Sequence, residues 1–259
     1  MLGYYPDAPF LYAKIIKMEN KEPRILVAET IGKNNANLED AIIRVEDSKM
    51  YEDLSTIIVC PTRGIFPTRV VQAWMKLMKP MNQVVAGPIF AESMKVDLAY
   101  ETLIEYILSN EMLNKYKYVL TIEEDNLPPV DGLLKLYKSM DKYDVVSGLY
   151  WGKGDNGFPM IFGDIKDPND FRPVKPVVGE VIQANGLGMG FNLFKLDMFR
   201  KVPKPWFKTE QEINEKTGAE VQMTQDMYFY KKAAKEGFIF ACDCNVLVGH
   251  YDSKTDTVY

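Results

Sequence analysis

The sequence predicts an α/β fold in which a mostly parallel sheet carries helices on both faces. Short apolar runs alternate with stretches of helical periodicity from residue 54 onward. Several of these runs are continuously apolar, which is typical of strands that are covered on both faces. Polar segments follow the ends of the runs, and ligands of such sheets bind at the carboxyl ends of the strands.

The predicted strands and helices follow one another over about a hundred residues. The strands are STIIVC, NQVVAGPIF, KYVLTI and YDVVSGLYW, and three helices lie between them. Right-handed crossovers between these strands would bring the segments PTRG, EEDN and YWGKG to one edge of the sheet. Apolar residues recur at helical spacing in each helix. In the first helix they are Val70, Val71, Trp74, Met75 and Met78.

The N-terminal segment and the last third of the chain do not show this regular alternation. Residues 1–53 contain short β-rich runs separated by polar turns, and we predict a small β-rich appendage there, followed by one domain over residues 54–259. The glycine-rich residues 180–194 are predicted to form a strand pair or a bent strand, and the polar residues around 208–222 a mobile loop. A last helix, QDMYFYKKAAKEG, is expected to end at Gly237.

Composition and charge exclude several classes of function. The net charge is −5, and Lys and Arg are scattered along the chain, which argues against nucleic-acid binding. There is no run of 18 apolar residues and no secretory leader pattern, so neither a membrane span nor export is expected. Cys60, Cys242 and Cys244 are expected to be buried, reduced thiols, which suits a cytoplasmic location.

Three successive acids follow the third predicted strand. Strand alternation would point Glu123 and Asp125 the same way and Glu124 the opposite way. Neighbouring carboxylates repel unless a proton or a cation lies between them, and their oxygen atoms favour Mg²⁺ or Mn²⁺. The alternative is that these acids face water or cap the N-terminus of the next helix, for which Asp131 is the predicted cap.

His250, the only histidine in the sequence, follows another apolar run. A lone histidine is more often a packed or surface residue than a ligand.

Four segments together carry a resemblance to a known family. They are TIIVCPTRG, LTIEEDNLPP, NGLGMGFNLFKLDMFRKV and TQDMYFYKKAAKEGFIFACDCNVLVGH. In their order and spacing the chain resembles nucleotide-diphospho-sugar glycosyltransferases of the GT-A fold, and in particular glycosyltransferase family 2. The match runs from about Ser55 to Asp252 and leaves the N-terminal appendage unexplained.

The resemblance implies a divalent metal site. Asp125 matches the metal-binding end of the D-x-D motif of the family, and His250 matches its third ligand. Glu123 matches the first acid, near the ribose or the metal, although Glu replaces the usual Asp there and reaches further. A bound Mn²⁺ or Mg²⁺ would bridge the two phosphates of the donor and neutralise the charge that builds on the leaving group.

The resemblance also implies donor-binding and catalytic residues. Asp226 matches the general base of inverting members, although Gln225 stands where Glu is usual. The alternative for Asp226 is an acid favoured at a helix N-terminus, with Thr224 as the neighbouring cap. The predicted nucleotide-sugar-binding residues are Pro61, Thr62, Arg63, Asp97, Glu123, Glu124 and Gly188.

These features together predict a metal-dependent glycosyltransferase of the hexosyltransferase type. It would move a sugar from a UDP- or GDP-linked donor to a hydroxyl of an unknown glycan, protein, lipid or small molecule, by direct displacement with inversion. Retention stays open as the other outcome, because similar GT-A sheets serve both. One alternative is a sugar-phosphate nucleotidyltransferase, although PTRGIFPTR has only one glycine where such enzymes carry a glycine-rich loop. The other alternative is a nucleotide-sugar-binding module without turnover.

Overall fold

The computed structural model of the chain describes residues 52–213 and 220–259. Within it, Asp53–Tyr259 forms one compact unit. The β-rich appendage predicted for residues 1–53 lies almost entirely outside the described residues, and so do residues 214–219 of the predicted mobile loop. None of the described helices is long and apolar enough to span a membrane.

Strands and helices alternate in the first half of the described chain and become irregular in the second. The strands, in chain order, are β1 Thr56–Thr62, β2 Val85–Glu92, β3 Tyr118–Ile122, β4 Asn126–Leu127, β5 Val145–Leu149, β6 Ile161–Phe162, β7 Val181–Ala184, β8 Gly186–Leu187, β9 Phe191–Lys195, β10 Glu210–Ile213, β11 Glu220–Met223, β12 Phe240–Leu247, β13 Gly249–Asp252 and β14 Thr257–Val258. The helices are α1 Thr68–Lys76, α2 Val96–Ser109, α3 Gly132–Tyr137, α4 Met198–Lys201 and α5 Gln225–Lys235, with a 3-10 turn at Leu113–Lys115.

Seven of the described strands form the central sheet, in the order β2-β1-β3-β9-β5-β12-β7. The pairs β1–β2, β1–β3 and β5–β12 are parallel, whereas β9 is antiparallel to both β3 and β5, and β7 is antiparallel to β12. The predicted α/β class is confirmed. The insertion of β9 between β3 and β5 was not predicted, because the apolar pattern of a buried strand is the same in either direction.

Helices cover both faces of the sheet, and β9 contributes to both cores. Phe194 packs in the layer that contains residues of α2, α4 and α5, whereas Phe191 and Leu193 pack in the layer that contains residues of α3. All three side chains are fully buried. Burial of each such side chain stabilises the fold by about 1.5–3 kcal/mol. Because its side chains are buried in both layers, β9 connects the two layers.

The first predicted helix is present as α1, but most of its apolar stripe is exposed. Val70 is buried, while Val71 is 40 % exposed and Met75 is 82 % exposed. Periodicity predicts the apolar face of a helix, but how far that face is buried depends on the neighbouring elements.

Asp131 precedes α3 without a capping hydrogen bond, which corrects its predicted role as a cap. Its carboxylate instead pairs with Lys135 Nζ at 2.9 Å.

The polar residues predicted as a mobile loop contain a β-hairpin. Strand β10 pairs with β11 in antiparallel register, with Glu210 opposite Met223 and Ile213 opposite Glu220. The prediction of a loop was wrong for these strands, because backbone pairing needs no apolar anchor. The predicted end of α5 is confirmed, since Gly237 follows the C-cap residue Glu236 and adopts a φ of +85°.

Candidate functional site

The three successive acids occupy a turn and not the end of a strand. Strand β3 ends at Ile122, and the N–H of Asn126 donates to the carbonyl of Glu123 at 3.0 Å, which closes the turn. The predicted alternation of side chains therefore stops before Glu123. Each of the three carboxyl groups faces different partners.

Glu124 joins this turn to the loop after β1, contrary to the prediction that it points away from the site. One carboxylate oxygen accepts hydrogen bonds from Thr62 Oγ1 at 2.7 Å and from the backbone N–H of Arg63 at 2.8 Å. The other accepts from Arg63 Nε. Burial raises the pKa of Glu124, but these hydrogen bonds and the Arg63 charge outweigh it and hold the pKa below its usual value. Glu124 is therefore a carboxylate that fixes the loop.

Asp125 contacts two cationic or ionisable groups. Its Oδ2 lies 2.5 Å from Lys153 Nζ and 3.5 Å from His250 Nε2. Burial of the Asp125 carboxyl raises its pKa, but His250 and Lys153 more than offset this and lower the pKa to about 2. Asp125 is therefore ionised at neutral pH.

His250 reaches Asp125 because β13 pairs with β4, which places His250 opposite Asn126. Its Nδ1 lies 2.8 Å from the carbonyl oxygen of Trp151, and a carbonyl oxygen only accepts hydrogen bonds, so Nδ1 carries a proton. Nε2 then faces Asp125 as a second donor in the charged ring, or as a lone pair in the neutral ring. In the neutral ring Nε2 is free to bind a metal ion.

Glu123 lies in a different environment from its two neighbours. Its Oε1 accepts a hydrogen bond from the Tyr100 hydroxyl at 3.0 Å. Burial, followed by the negative charge of Asp125, raises the pKa of Glu123 to about 7; the charge of Asp226 adds to this increase, and Tyr100 opposes it. Glu123 therefore exchanges its proton near neutral pH.

Asp226 is buried at the start of α5. Its Oδ1 accepts a hydrogen bond from the Thr224 hydroxyl and another from the N–H of Met227, the latter at 2.9 Å. Burial outweighs these bonds and raises the pKa of Asp226. The charge of Asp226 also contributes to the raised pKa of Glu123, so the two carboxyl groups lie near enough to interact.

In the part of the chain that the structure describes, two cavities adjoin the acidic turn. One has a volume of about 420 Å³, and its walls include Arg63, Phe66, Glu124, Asp125, Lys153 and Tyr251. The other has a volume of about 190 Å³, and its walls include Pro61, Thr62, Met94 and the three successive acids. The loop after β1 and the acidic turn therefore share a concave surface that is suited to a small polar ligand.

Two of the predicted donor-binding residues lie elsewhere. Asp97 borders a separate cavity of about 510 Å³ beside Thr209, whose N–H donates to Asp97 Oδ2 at 3.2 Å. Gly188 is buried, and a Cβ atom at this position would lie 2.2 Å from the Tyr150 hydroxyl. The structure thus gives Gly188 a packing role and does not bring either residue to the two cavities.

The residues beside the cavities suit a divalent ion whose coordination shell is completed by the substrate. Among the described residues no group of three or more His, Cys, Asp or Glu side chains is arranged to hold a metal ion. Asp125 Oδ2 and His250 Nε2 nevertheless lie 3.5 Å apart, and Mg²⁺ is usually held by one or two carboxylates together with substrate phosphates. Glu123, the first acid of the predicted motif, contacts Tyr100 instead.

Sequence reasoning missed Lys153. It follows β5 in the hairpin that carries Trp151, between Gly152 and Gly154. The sequence contains a signal for it, because the segment YWGKG is predicted to lie at the ligand-binding edge and carries a cation between two glycines.

No family model matches the chain, and no curated protein sequence matches it. Among solved structures the fold is similar to that of A197 from STIV, with a TM-score of 0.55 and 16 % identity over 79 % of this chain and 93 % of that one. The central sheet and this likeness identify the architecture as a GT-A-type α/β fold, as the sequence predicts.

Two further solved structures are less similar. They are S. aureus TarS 1-349 in complex with UDP-GlcNAc, with a TM-score of 0.39 and 12 % identity over 73 % of this chain and 56 % of that one, and 4-diphosphocytidyl-2C-methyl-D-erythritol synthase from Anaerococcus prevotii DSM 20548, with a TM-score of 0.32 and 11 % identity over 70 % of this chain and 96 % of that one. Likenesses at this level support no inference about this chain.

Proposed function

We propose that this protein is a metal-dependent glycosyltransferase that uses a nucleotide-diphospho-sugar donor. The proposal rests on the contact between Asp125 and His250, which are 125 positions apart in the sequence. The two side chains lie beside a cavity at the carboxyl edge of the sheet. A carboxylate and an imidazole beside a cavity that could hold a diphosphate would bind Mn²⁺ or Mg²⁺ between them. The ion would neutralise charge on the leaving nucleoside diphosphate.

The residues of the loop after β1 would bind the nucleotide. Thr62 and the Arg63 N–H are fixed by Glu124, so the loop has its shape before the donor arrives. The Arg63 side chain is 82 % exposed and borders both cavities, where its guanidinium can reach an anionic ligand. This preorganisation lowers the ordering cost of donor binding.

Asp226 would act as the general base on the acceptor. Its carboxylate takes the proton of the acceptor hydroxyl while that oxygen bonds to the anomeric carbon and the bond from this carbon to the phosphate oxygen breaks. The electron pair leaves with the nucleoside diphosphate, and displacement from the opposite face inverts the anomeric centre. A raised pKa makes Asp226 a better proton acceptor than an exposed aspartate.

Turnover of nucleotide sugars would test the proposal. We expect release of UDP or GDP from a panel of UDP- and GDP-sugars with candidate acceptors, loss of this release in EDTA, and recovery with Mn²⁺ or Mg²⁺. Asp125→Asn should reduce turnover at least a hundredfold, whereas Asp155→Asn, at an exposed position in the neighbouring hairpin, should leave it unchanged.

Other results would favour the alternatives. Formation of a nucleotide sugar and pyrophosphate from a nucleoside triphosphate and a sugar phosphate would indicate a nucleotidyltransferase. Donor binding that raises the melting temperature without turnover on any acceptor would indicate a binding module. Full activity of the wild-type protein in EDTA would overturn the metal dependence.

A further inference from the structure

Lys153 pairs with the carboxylate oxygen that the proposed metal site needs. Its ammonium lies 2.5 Å from Asp125 Oδ2, the same atom that lies 3.5 Å from His250 Nε2. A divalent ion between Asp125 and His250 would therefore compete with Lys153 for this oxygen. The lysine needs another anionic partner when the ion is present.

The hairpin that carries Lys153 is held in place while the lysine side chain remains accessible. The N–H of Gly152 donates to the carbonyl of Phe158 at 2.9 Å, and the N–H of Gly157 donates to the carbonyl of Gly154 at 2.9 Å. The bond between His250 Nδ1 and the carbonyl of Trp151 ties the base of the hairpin to the site. The Lys153 side chain is 31 % exposed and has four flexible carbon atoms, so its ammonium can move without a change in the backbone.

The charges around the larger cavity indicate what that partner would be. Glu124 and Asp125 line the cavity, and each is paired with a cation, Arg63 or Lys153, that lines it as well. A diphosphate in this cavity adds negative charge beside two carboxylates. The diphosphate could bind only if cationic side chains contact it and compensate this charge. In the described part of the chain, the cations that border the cavity are Lys153 and Arg63.

We infer that Lys153 is a phosphate-binding residue that changes partners: in the free protein its ammonium contacts Asp125, and in the donor complex it contacts the diphosphate and leaves Asp125 Oδ2 to the divalent ion. This inference rests on the proposed function, because it takes the diphosphate from the proposed donor. It adds to the site a cation that the resemblance to the GT-A glycosyltransferases does not imply. The exchange would also make metal and diphosphate bind cooperatively. The ion releases Lys153 for the diphosphate, and the diphosphate releases Asp125 for the ion.

Binding of Mn²⁺ without nucleotide tests the first half of the exchange. Titration calorimetry should show Mn²⁺ binding about tenfold more tightly to Lys153→Met than to the wild-type protein, because the competing ammonium is gone. Lys166→Met removes an exposed lysine from the loop after β6 and should leave the affinity unchanged. Equal or weaker Mn²⁺ binding to Lys153→Met would overturn the inference.

Binding of inorganic pyrophosphate in EDTA tests the second half. The affinity should fall about tenfold or more in Lys153→Met, remain within about threefold in Lys153→Arg, and stay unchanged in Lys166→Met. Equal affinity of Lys153→Met and the wild-type protein, or no binding to the wild-type protein, would overturn the inference. The expected changes in a protein that transfers no sugar would instead overturn the proposed function and leave Lys153 as a phosphate ligand.

Discussion

Four carboxyl groups near one edge of the sheet divide into two pairs by the kind of partner each has. Glu124 and Asp125, the cation-paired acids, contact Arg63 and Lys153. Glu123 and Asp226, the neutral-paired acids, accept hydrogen bonds from hydroxyl and N–H groups that carry no charge. The pKa values of the first pair are lowered and those of the second pair are raised.

The difference shows that proximity in the sequence does not set the chemistry of a carboxyl group. Glu123 and Glu124 are adjacent, yet the pKa of one is raised and that of the other is lowered. A cation keeps a carboxylate charged, whereas burial with only neutral donors favours the protonated form. The cation-paired acids therefore suit charge compensation and loop fixation, and the neutral-paired acids suit proton transfer.

The largest expected effect concerns Asp226, the neutral-paired acid proposed as the base. Asp226→Asn should lower the turnover number by about 10²- to 10⁴-fold, since the amide cannot take the acceptor proton. Donor affinity should not change, because Asp226 is assigned to the acceptor. Steady-state kinetics and nucleotide titration would separate these two quantities. Asp197→Asn, at an exposed acid preceding α4, is the matched control, and an equal loss in both variants would contradict the assignment.

The next effect concerns the packing beside the neutral-paired acids. Gly188→Ala should lower the free energy of unfolding by about 1–3 kcal/mol, because its Cβ would lie 2.2 Å from the Tyr150 hydroxyl. Gly152→Ala is the control, since a Cβ there meets nothing closer than 3.8 Å. Urea denaturation measures both variants, and equal stability of the two would show that Tyr150 has room to move.

A smaller effect is expected for a cation-paired acid. Glu124→Gln should lower the free energy of unfolding by about 2 kcal/mol, since an amide cannot accept all the hydrogen bonds that Thr62 and Arg63 donate. The exposed Arg63 side chain limits the contribution of the charge itself. Thermal or urea denaturation at neutral pH would measure the loss. Unchanged stability would mean that Glu124 does not hold the loop.

The last effect is a pH dependence that arises from Glu123. Its pKa of about 7 in the folded protein is higher than its usual value near 4.5, so the folded state binds more protons and loses stability as the pH rises from about 5 to 8. Glu123→Gln mimics the protonated form. It should come within about 1 kcal/mol of the wild-type protein at pH 5 and exceed its free energy of unfolding by about 3 kcal/mol at pH 8.

Denaturation of Glu123→Gln across this pH range would be compared with Glu111→Gln, at an exposed position after α2. The Glu111 variant should follow the wild-type curve at every pH. If the Glu123 variant did so as well, Glu123 would titrate like an exposed acid, and the division between the two pairs of acids would fail.

The alternation of strands and helices, the α/β class and the edge at which polar segments gather can all be predicted from the sequence. These follow from apolar periodicity and from chain direction, which are local properties. The sequence also singled out Asp125, His250 and Asp226 through the resemblance to the GT-A glycosyltransferases. Their catalytic roles stay predictions, although the structure places Asp125 and His250 side by side.

The partners of each acid could not be predicted from the sequence, because they come from contacts between distant segments. Strand alternation could not place Glu124, because β3 ends at Ile122 and the acids follow in a turn. The direction of β9, the hairpin of β10 and β11 and the approach of Lys153 to Asp125 likewise depend on contacts between residues distant in the sequence. The protonation of a carboxyl group depends on burial and on nearby charge, and both are set by those distant contacts.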